Sequence, residues 1–360
     1  MTGYDVRTGA GIIGHRATLD ALGAEATSPV HSYLFAGPSG VGKATVALAF
    51  AAALVSRSEA DRDRVMRKSH PDVVMIGPEG RAGFGVGQSR QAITAASLRP
   101  VEAHRKVFIL DEASTMTEAA ANALLKTLEE PPPRTVFVLV AESADDLPPT
   151  VASRCRLVHF GRVPEGELAV ALAERGADAD RATMIARIAG GRPGLALDLA
   201  KGDKAAAFRQ SWLAVPGRLP SQPGHGFRLA EEMLKAHEPL LEEIKTRRDQ
   251  EIKALKSRGL PVPKALRDSY DRALRRSGMS LLVAGLDMLA SWYLDAASVQ
   301  HGGPVRNPDV PRTELAKVPA RPAARSAELV IDAGVQLRQN QRPRLVLTWL
   351  FNRLADGAQP

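Results

Sequence analysis

The 360-residue chain contains one cysteine, Cys155. That excludes an intrachain disulfide and any zinc site built on cysteines, and it fits a reducing, cytoplasmic compartment. Aromatic residues make up only 4%, while alanine and leucine are plentiful; this mix favours helices over strands. The most apolar runs, such as residues 46–55, fall far short of the roughly twenty residues needed to span a bilayer. The opening stretch MTGYDVRTGAGIIGH has no apolar core of the secretory-leader kind. Neither a leader nor a membrane partner is therefore expected. The histidines are scattered, without the paired spacing that suits a metal.

Hydrophobic residues reach 44%, enough for well-packed cores, and the length calls for two or three domains. Lysine and arginine number 48 against 40 carboxylates, a net charge of +8. Such a balance suits contact with nucleic acid or an acidic partner, although charge alone specifies neither.

Up to about residue 160 the chain alternates short apolar runs with helical patterns. SYLFAG from Ser32, DVVMIG from Asp72, KVFIL from Lys106 and TVFVLVA from Thr135 read as buried strands. Residues 44–55, 86–98 and 117–129 read as the helices between them. The alternation is that of a parallel sheet covered by helices on both faces. Beyond Phe160 the strand pattern stops. Helices are expected over 164–176, 181–200, 228–257 and 264–297, with a loose Pro/Gly-rich stretch at 215–226 and a Pro/Arg-rich link near 302–325. Acidic residues come early and basic ones late in 228–257, as the helix dipole favours.

The chemistry-bearing residues cluster in the first part. Gly37-Pro-Ser-Gly40-Val-Gly42-Lys43-Ala44-Thr45 follows a strand and opens a helix. In that context the glycine-rich turn lets backbone N–H groups converge on phosphates, and Lys43 reaches the β- and γ-phosphates. The residue after the lysine should carry a hydroxyl to ligate Mg²⁺, but here it is Ala44. Thr45, about 100° further round the helix, is a poor substitute. ATP binding is therefore compatible with the motif, whereas Mg²⁺-assisted hydrolysis is not favoured. The apolar run ending in Asp111-Glu112 resembles a Walker B strand, whose first acid holds the metal and whose second polarises water. Arg154, in Ser153-Arg154-Cys155, closes the sheet region and is a candidate arginine finger.

These motifs together resemble the clamp-loader branch of the AAA+ ATPases. The resemblance is carried by Asp111 to Pro132 (DEASTMTEAAANALLKTLEEPP), by Thr150-Val-Ala-Ser-Arg-Cys155, by Gly11-Ile-Ile-Gly14-His15 and by the HSYLFAGPSGVGK segment from His31. It covers residues 11 to about 160. It implies an AAA+ domain over 1–161, a small helical lid over 162–212 and an all-helical collar over 226–360. It also implies a ring of five subunits that opens a sliding clamp and loads it on primer-template DNA. Members of that family commonly carry a four-cysteine zinc module after the P-loop; residues 56–72 hold no cysteine, so no zinc is expected. The lid arginine that senses nucleotide would fall near Gly194, two residues from Arg192. With Ala44, these departures favour a stator that donates Arg154 to a neighbour's ATP site. Lys43, Asp111 and Glu112 keep a motor ATPase open as the alternative, and a P-loop protein of another pathway is a third class.

Three further features have two readings each. Lys245, Arg247, Arg248, Lys253, Lys256 and Arg258 form either a solvated helix face or a DNA or collar contact. Trp292-Tyr293 fits core packing better than base stacking. Cys155 reads as a small apolar side chain.

Overall fold

The computed structural model describes residues 6, 11–78, 83–219, 225–257, 261–262, 264–339 and 341–357. The chain divides into two compact units, one comprising residues 1–171 and 191–194, the other 172–190 and 195–360.

The first unit is built on five strands, β1 (Ser32–Ala36), β2 (Val73–Ile76), β3 (Lys106–Leu110), β4 (Thr135–Ala141) and β5 (Arg156–His159). They form one parallel sheet in the order β2-β3-β4-β1-β5. Four of the five are the apolar runs legible in the sequence. β5 is the exception: Arg156, Leu157 and His159 are exposed on this edge strand, so no apolar run announced it.

Alternate residues of each strand point to opposite faces, which gives two cores. Tyr33, Phe35, Val107, Ile109, Val138 and Val140 pack with α2 (Lys43–Val55). Leu34, Phe108, Leu110, Phe137 and Leu139 pack against α4 (Val86–Ala96) and α5 (Glu118–Glu129). Residues 46–55 of α2 are buried throughout, consistent with a helix that is apolar on every side. Phe108 and Phe137 are register partners on neighbouring strands, and their rings stack at 5.2 Å. Each such fully buried ring contributes roughly 1.5–3 kcal/mol. α5 opens with Thr117 accepting the Ala120 N–H, an N-cap that stops the helix from running back into the preceding turn.

The second unit is helical among its described residues. Its elements include α8 (Ala179–Ala189), α10 (Ala205–Leu213), α11 (Gly226–Lys235), α12 (Glu238–Ser257), α13 (Lys264–Val299), α15 (Ala320–Arg338) and α16 (Pro343–Gly357). Two expected helices are each split. The one over 181–200 breaks at Gly190 and Gly191, both left-handed (φ 54° and 79°), before α9 (Pro193–Ala200). The one over 228–257 breaks at Ala236-His237, between α11 and α12. The expected Pro/Arg link also contains α14 (Arg312–Leu315) and the start of α15.

α13 is the centre of this unit. Residues 270–299 are long and apolar enough, by composition, to cross a membrane, but they are mostly buried inside the unit. Trp212 of α10 lies against Gly285, where an added Cβ would stand 2.0 Å from the indole. Trp292 and Tyr293 are buried and meet edge to face at 5.2 Å, in line with the packing reading. A polar network ties the loop before α14 to these helices. Arg209 donates to Asp309 and to Asn307 Oδ1 (2.7 Å), and the buried Asp295 accepts from the backbone N–H groups of Arg306 and Asn307, both at 2.8 Å.

Candidate nucleotide site and surface arginine

In a parallel sheet the carboxyl ends of the strands form the edge where ligands collect, because the loops that follow them open outward. The register aligns those ends: Ala36 of β1 pairs with Ala141 of β4, and Leu110 of β3 with Leu139. Gly37, Asp111 and Glu142 are therefore the residues that leave the sheet on one edge. The backbone joins two of them directly, since the Gly37 N–H donates to the Glu142 carbonyl at 3.0 Å.

Glycine is required in the turn after β1. A Cβ at Gly37 would stand 2.1 Å from the Phe160 carbonyl oxygen, and Gly40 and Gly42 have φ of 81° and 105°. Only glycine adopts such a succession cheaply, and it leaves the N–H groups free to converge on an anion. His15 supports the turn from behind, with Nε2 at 2.8 Å from the Val41 carbonyl and its ring edge on Phe160.

Lys43 is buried at the start of α2, and its ammonium donates to the Gly37 and Pro38 carbonyls, at 2.5 and 2.7 Å. Ala44 follows, and Thr45 is exposed. The backbone and lysine thus suit a polyphosphate, but the α2 position that would ligate a metal has no oxygen. Asp111 Oδ1 accepts the Glu112 N–H at 3.0 Å, and Glu112 is left-handed (φ 55°), which turns the chain sharply at the strand end. The Ser114 hydroxyl accepts the Glu142 N–H at 2.8 Å and so ties the turn after β3 to the end of β4.

Two contributors escaped the sequence reading. Glu142 followed an unbroken apolar strand, and nothing nearby marked it. Arg192 was set aside on its spacing, yet it is buried with its stem over Gly40, 3.4 Å from where a Cβ would stand there. The Gly194 N–H also approaches the Gly40 carbonyl, at 3.4 Å. The left-handed pair Gly190-Gly191 is the signal that could have found it, because that pair turns residues 191–194 back onto the first unit.

Arg154 stands apart from this edge cluster. It follows the short α6 (Pro149–Ala152), with its side chain 34% exposed. Its guanidinium pairs with Glu129, at the end of α5, and donates to the Thr150 carbonyl at 2.7 Å. A surface guanidinium held on two sides is oriented but still reachable. Its neighbour Cys155 is half-buried, and burial pushes the thiol up to about 12.

Asp61, His70 and Glu102 bring potential ligand atoms within 4.8 Å of one another. A cation already serves both carboxylates: Arg64 donates to Glu102 at 2.8 and 3.1 Å and lies 3.5 Å from Asp61. His70 Nδ1 accepts the Asp72 N–H at 3.1 Å.

Comparison with known proteins agrees with this architecture. Residues 20–164 match the family described as "DNA polymerase III, delta subunit". The chain is 30% identical to DNA polymerase III subunit delta' of Bacillus subtilis over 55% of this chain and 62% of that one. It is 36% identical to the Escherichia coli delta' subunit over 42% of this chain and 46% of the relative. Against the tau subunit of Bacillus subtilis identity is 35%, over 37% of this chain and 25% of the relative. In each case the match spans less than two thirds of the relative's own length.

Proposed function

We propose, from an N-terminal unit that is delta-prime-like and of the DNA polymerase III clamp-loader kind, that this chain is a stator subunit of a clamp loader. In this reading it sits in the cytoplasm within a hetero-pentameric ring, beside ATP-hydrolysing sister subunits. The ring opens a sliding clamp and places it on primer-template DNA for the polymerase holoenzyme. Residues 162–212 then provide the lid and residues 226–360 the collar.

The single observation that carries the stator reading is the nucleotide edge itself. The P-loop keeps its backbone turn and Lys43, but α2 offers Ala44 where a metal-ligating hydroxyl is needed, and Thr45 is exposed. Gly37, Gly40, Gly42 and Lys43 would hold a triphosphate, and a bound Mg²⁺ would draw charge off the terminal phosphate. With Asp111 as the remaining ligand candidate, that metal would be weakly held and turnover would be low. Arg154 supports the second half of the reading: an oriented, accessible guanidinium can stabilise phosphate charge in an adjacent subunit. It does so as a planar cation with several fixed donors, which lysine cannot match.

A second reading, a motor subunit of the same complex, is favoured by Arg192. Its buried stem packs over Gly40 of the P-loop, and Glu112 stands at the strand end where a water-polarising acid is needed.

The test is ATP turnover by the reconstituted complex with wild-type chain and with Arg154→Ala, alongside turnover by the chain alone. The stator reading expects a loss of about 10³-fold or more in the complex and no hydrolysis by the isolated chain. Unchanged complex activity, together with isolated-chain hydrolysis abolished by Lys43→Ala, would establish the motor instead.

A further inference from the structure

The net charge of the chain is concentrated in one place. Between residues 244 and 277 there are eleven lysines and arginines against four carboxylates, which is +7 of the chain's total of +8. The rest of the chain is close to neutral.

That segment includes the distal part of α12, to Ser257, and the first part of α13, from Lys264; Arg258 lies outside the described residues. Among its described side chains, no hydrophobic residue between 241 and 281 is buried, and Leu241 and Leu281 mark where packing against the rest of the unit begins. The two helices contact each other instead. Tyr270 donates its hydroxyl to Glu251, and Arg248 lies between Asp249 (2.9 Å) and Asp271 (4.0 Å). The described part of this charge is thus carried on two paired helices with no fully buried hydrophobic side chain among the described residues between Leu241 and Leu281. Lys253, Lys256, Arg267 and Arg275 are all exposed and have no ion-pair partner among the described residues. Lys253 and Lys256 are three apart, so they share a helix face. Residues 245–257 extend about 18 Å along α12 at the usual helical rise, enough to follow about five base pairs of backbone.

We infer that this basic helical pair is a docking surface for the phosphate backbone of duplex nucleic acid, read without regard to sequence. Charge complementarity selects a polyanion. The surface then discriminates among polyanions by what it omits. Among the described residues, none of the exposed large hydrophobic side chains falls between 241 and 281, so the described surface offers no apolar stripe to a bilayer. The aromatic there, Tyr270, is half-buried with its hydroxyl engaged, so no platform is offered on which unpaired bases could stack. Exposed guanidinium and ammonium groups on two paired helices suit successive phosphates of a backbone. The choice of nucleic acid over an acidic protein rests on the clamp-loader reading, whereas the surface itself does not.

The experiment is anisotropy of a labelled 30-base-pair duplex titrated with the full chain from 50 to 300 mM salt. The variant Lys253→Gln/Lys256→Gln/Arg267→Gln/Arg275→Gln should weaken binding at least about tenfold. It should also flatten the slope of log affinity against log salt by up to about 3.6, at about 0.9 per phosphate contact. Lys253→Arg/Lys256→Arg should bind as wild type. Asp249→Asn/Asp271→Asn, which releases Arg248 from its carboxylates, should bind more tightly, and this sign test stands even if the quadruple variant misfolds. Unchanged affinity and slope in the quadruple variant would overturn the proposal. So would tighter binding to a single strand of equal length, to vesicles rich in phosphatidylglycerol, or to polyglutamate. Duplex binding by the isolated chain is independent of complex turnover with Arg154→Ala, so either proposal can fail alone.

Discussion

The two units bury their polar residues for different ends. In the N-terminal unit Asp72 is fully buried, and its carboxylate accepts the Val101, Glu102 and Ala103 N–H groups at 2.7–2.8 Å, which pins a loop to the start of β2. Lys43 and Arg192 are buried against the P-loop. In the C-terminal unit the buried polar groups, Arg209, Asn307, Asp295 and Ser291, bind one another and a connecting loop. Asp72 thus ties down a loop at the amino end of β2, whereas Lys43 and Arg192 lie at the turn that follows the carboxyl end of β1. The second unit uses Arg209, Ser291 and Asp295 to hold the loop at Arg306-Asn307 against α10 and α13. Two of the buried cations of the first unit, Lys43 and Arg192, are thus desolvated beside a glycine-rich turn rather than within a helical core.

The contrast has a convenient probe, because all three tryptophans, Trp212, Trp292 and Trp349, lie in the C-terminal unit. The largest stability change expected is from Trp292→Ala, which removes a buried indole from the centre of α13. It should cost about 4 kcal/mol, measured as the urea midpoint of helical circular dichroism, and leave duplex affinity unchanged. A loss of duplex binding without loss of stability would make Trp292 a stacking residue and erase the distinction.

Asp72→Ala probes the other unit and ranks next. It strands three backbone donors and should cost about 3 kcal/mol, read as faster amide exchange in β2 and β3 with tryptophan fluorescence unaltered. Burial acts to raise the Asp72 carboxyl, but the three N–H donors outweigh it and hold it below the usual carboxylate range. Its stabilisation is therefore complete above the unfolded value of about 4 and is lost as pH falls through the lower folded value. The gap between wild type and variant should narrow below about pH 4, and a gap independent of pH would refute the carboxylate's role.

The smallest effect concerns Cys155. With its thiol pushed up to about 12, alkylation at pH 8 should be far slower than for a free thiol, and Cys155→Ala should leave complex turnover intact. Rapid labelling of the native chain would place a thiolate beside Arg154 and reopen its chemistry.

Legibility follows the same division. β1 to β4, the P-loop and the Asp111-Glu112 strand end were readable because central parallel strands are buried on both faces and appear as unbroken apolar runs. β5 was not, because an edge strand with exposed Arg156, Leu157 and His159 has no such pattern. The split at Ala236-His237 was missed because helical periodicity continues across it, whereas the one at Gly190-Gly191 is marked by its glycines and by Pro193.

The sequence by itself determined the parallel α/β unit, the helical remainder, the phosphate-binding turn and the missing hydroxyl at Ala44, since each depends on residue type at fixed local spacing. The tertiary structure alone decided that Arg192 returns to Gly40, that Arg154 is held by Glu129 and that Gly285 receives Trp212. It also decided that Lys253, Lys256, Arg267 and Arg275 of α12 and α13 are exposed. These depend on which distant segments meet, and no local pattern encodes a contact between residues so far apart in the chain.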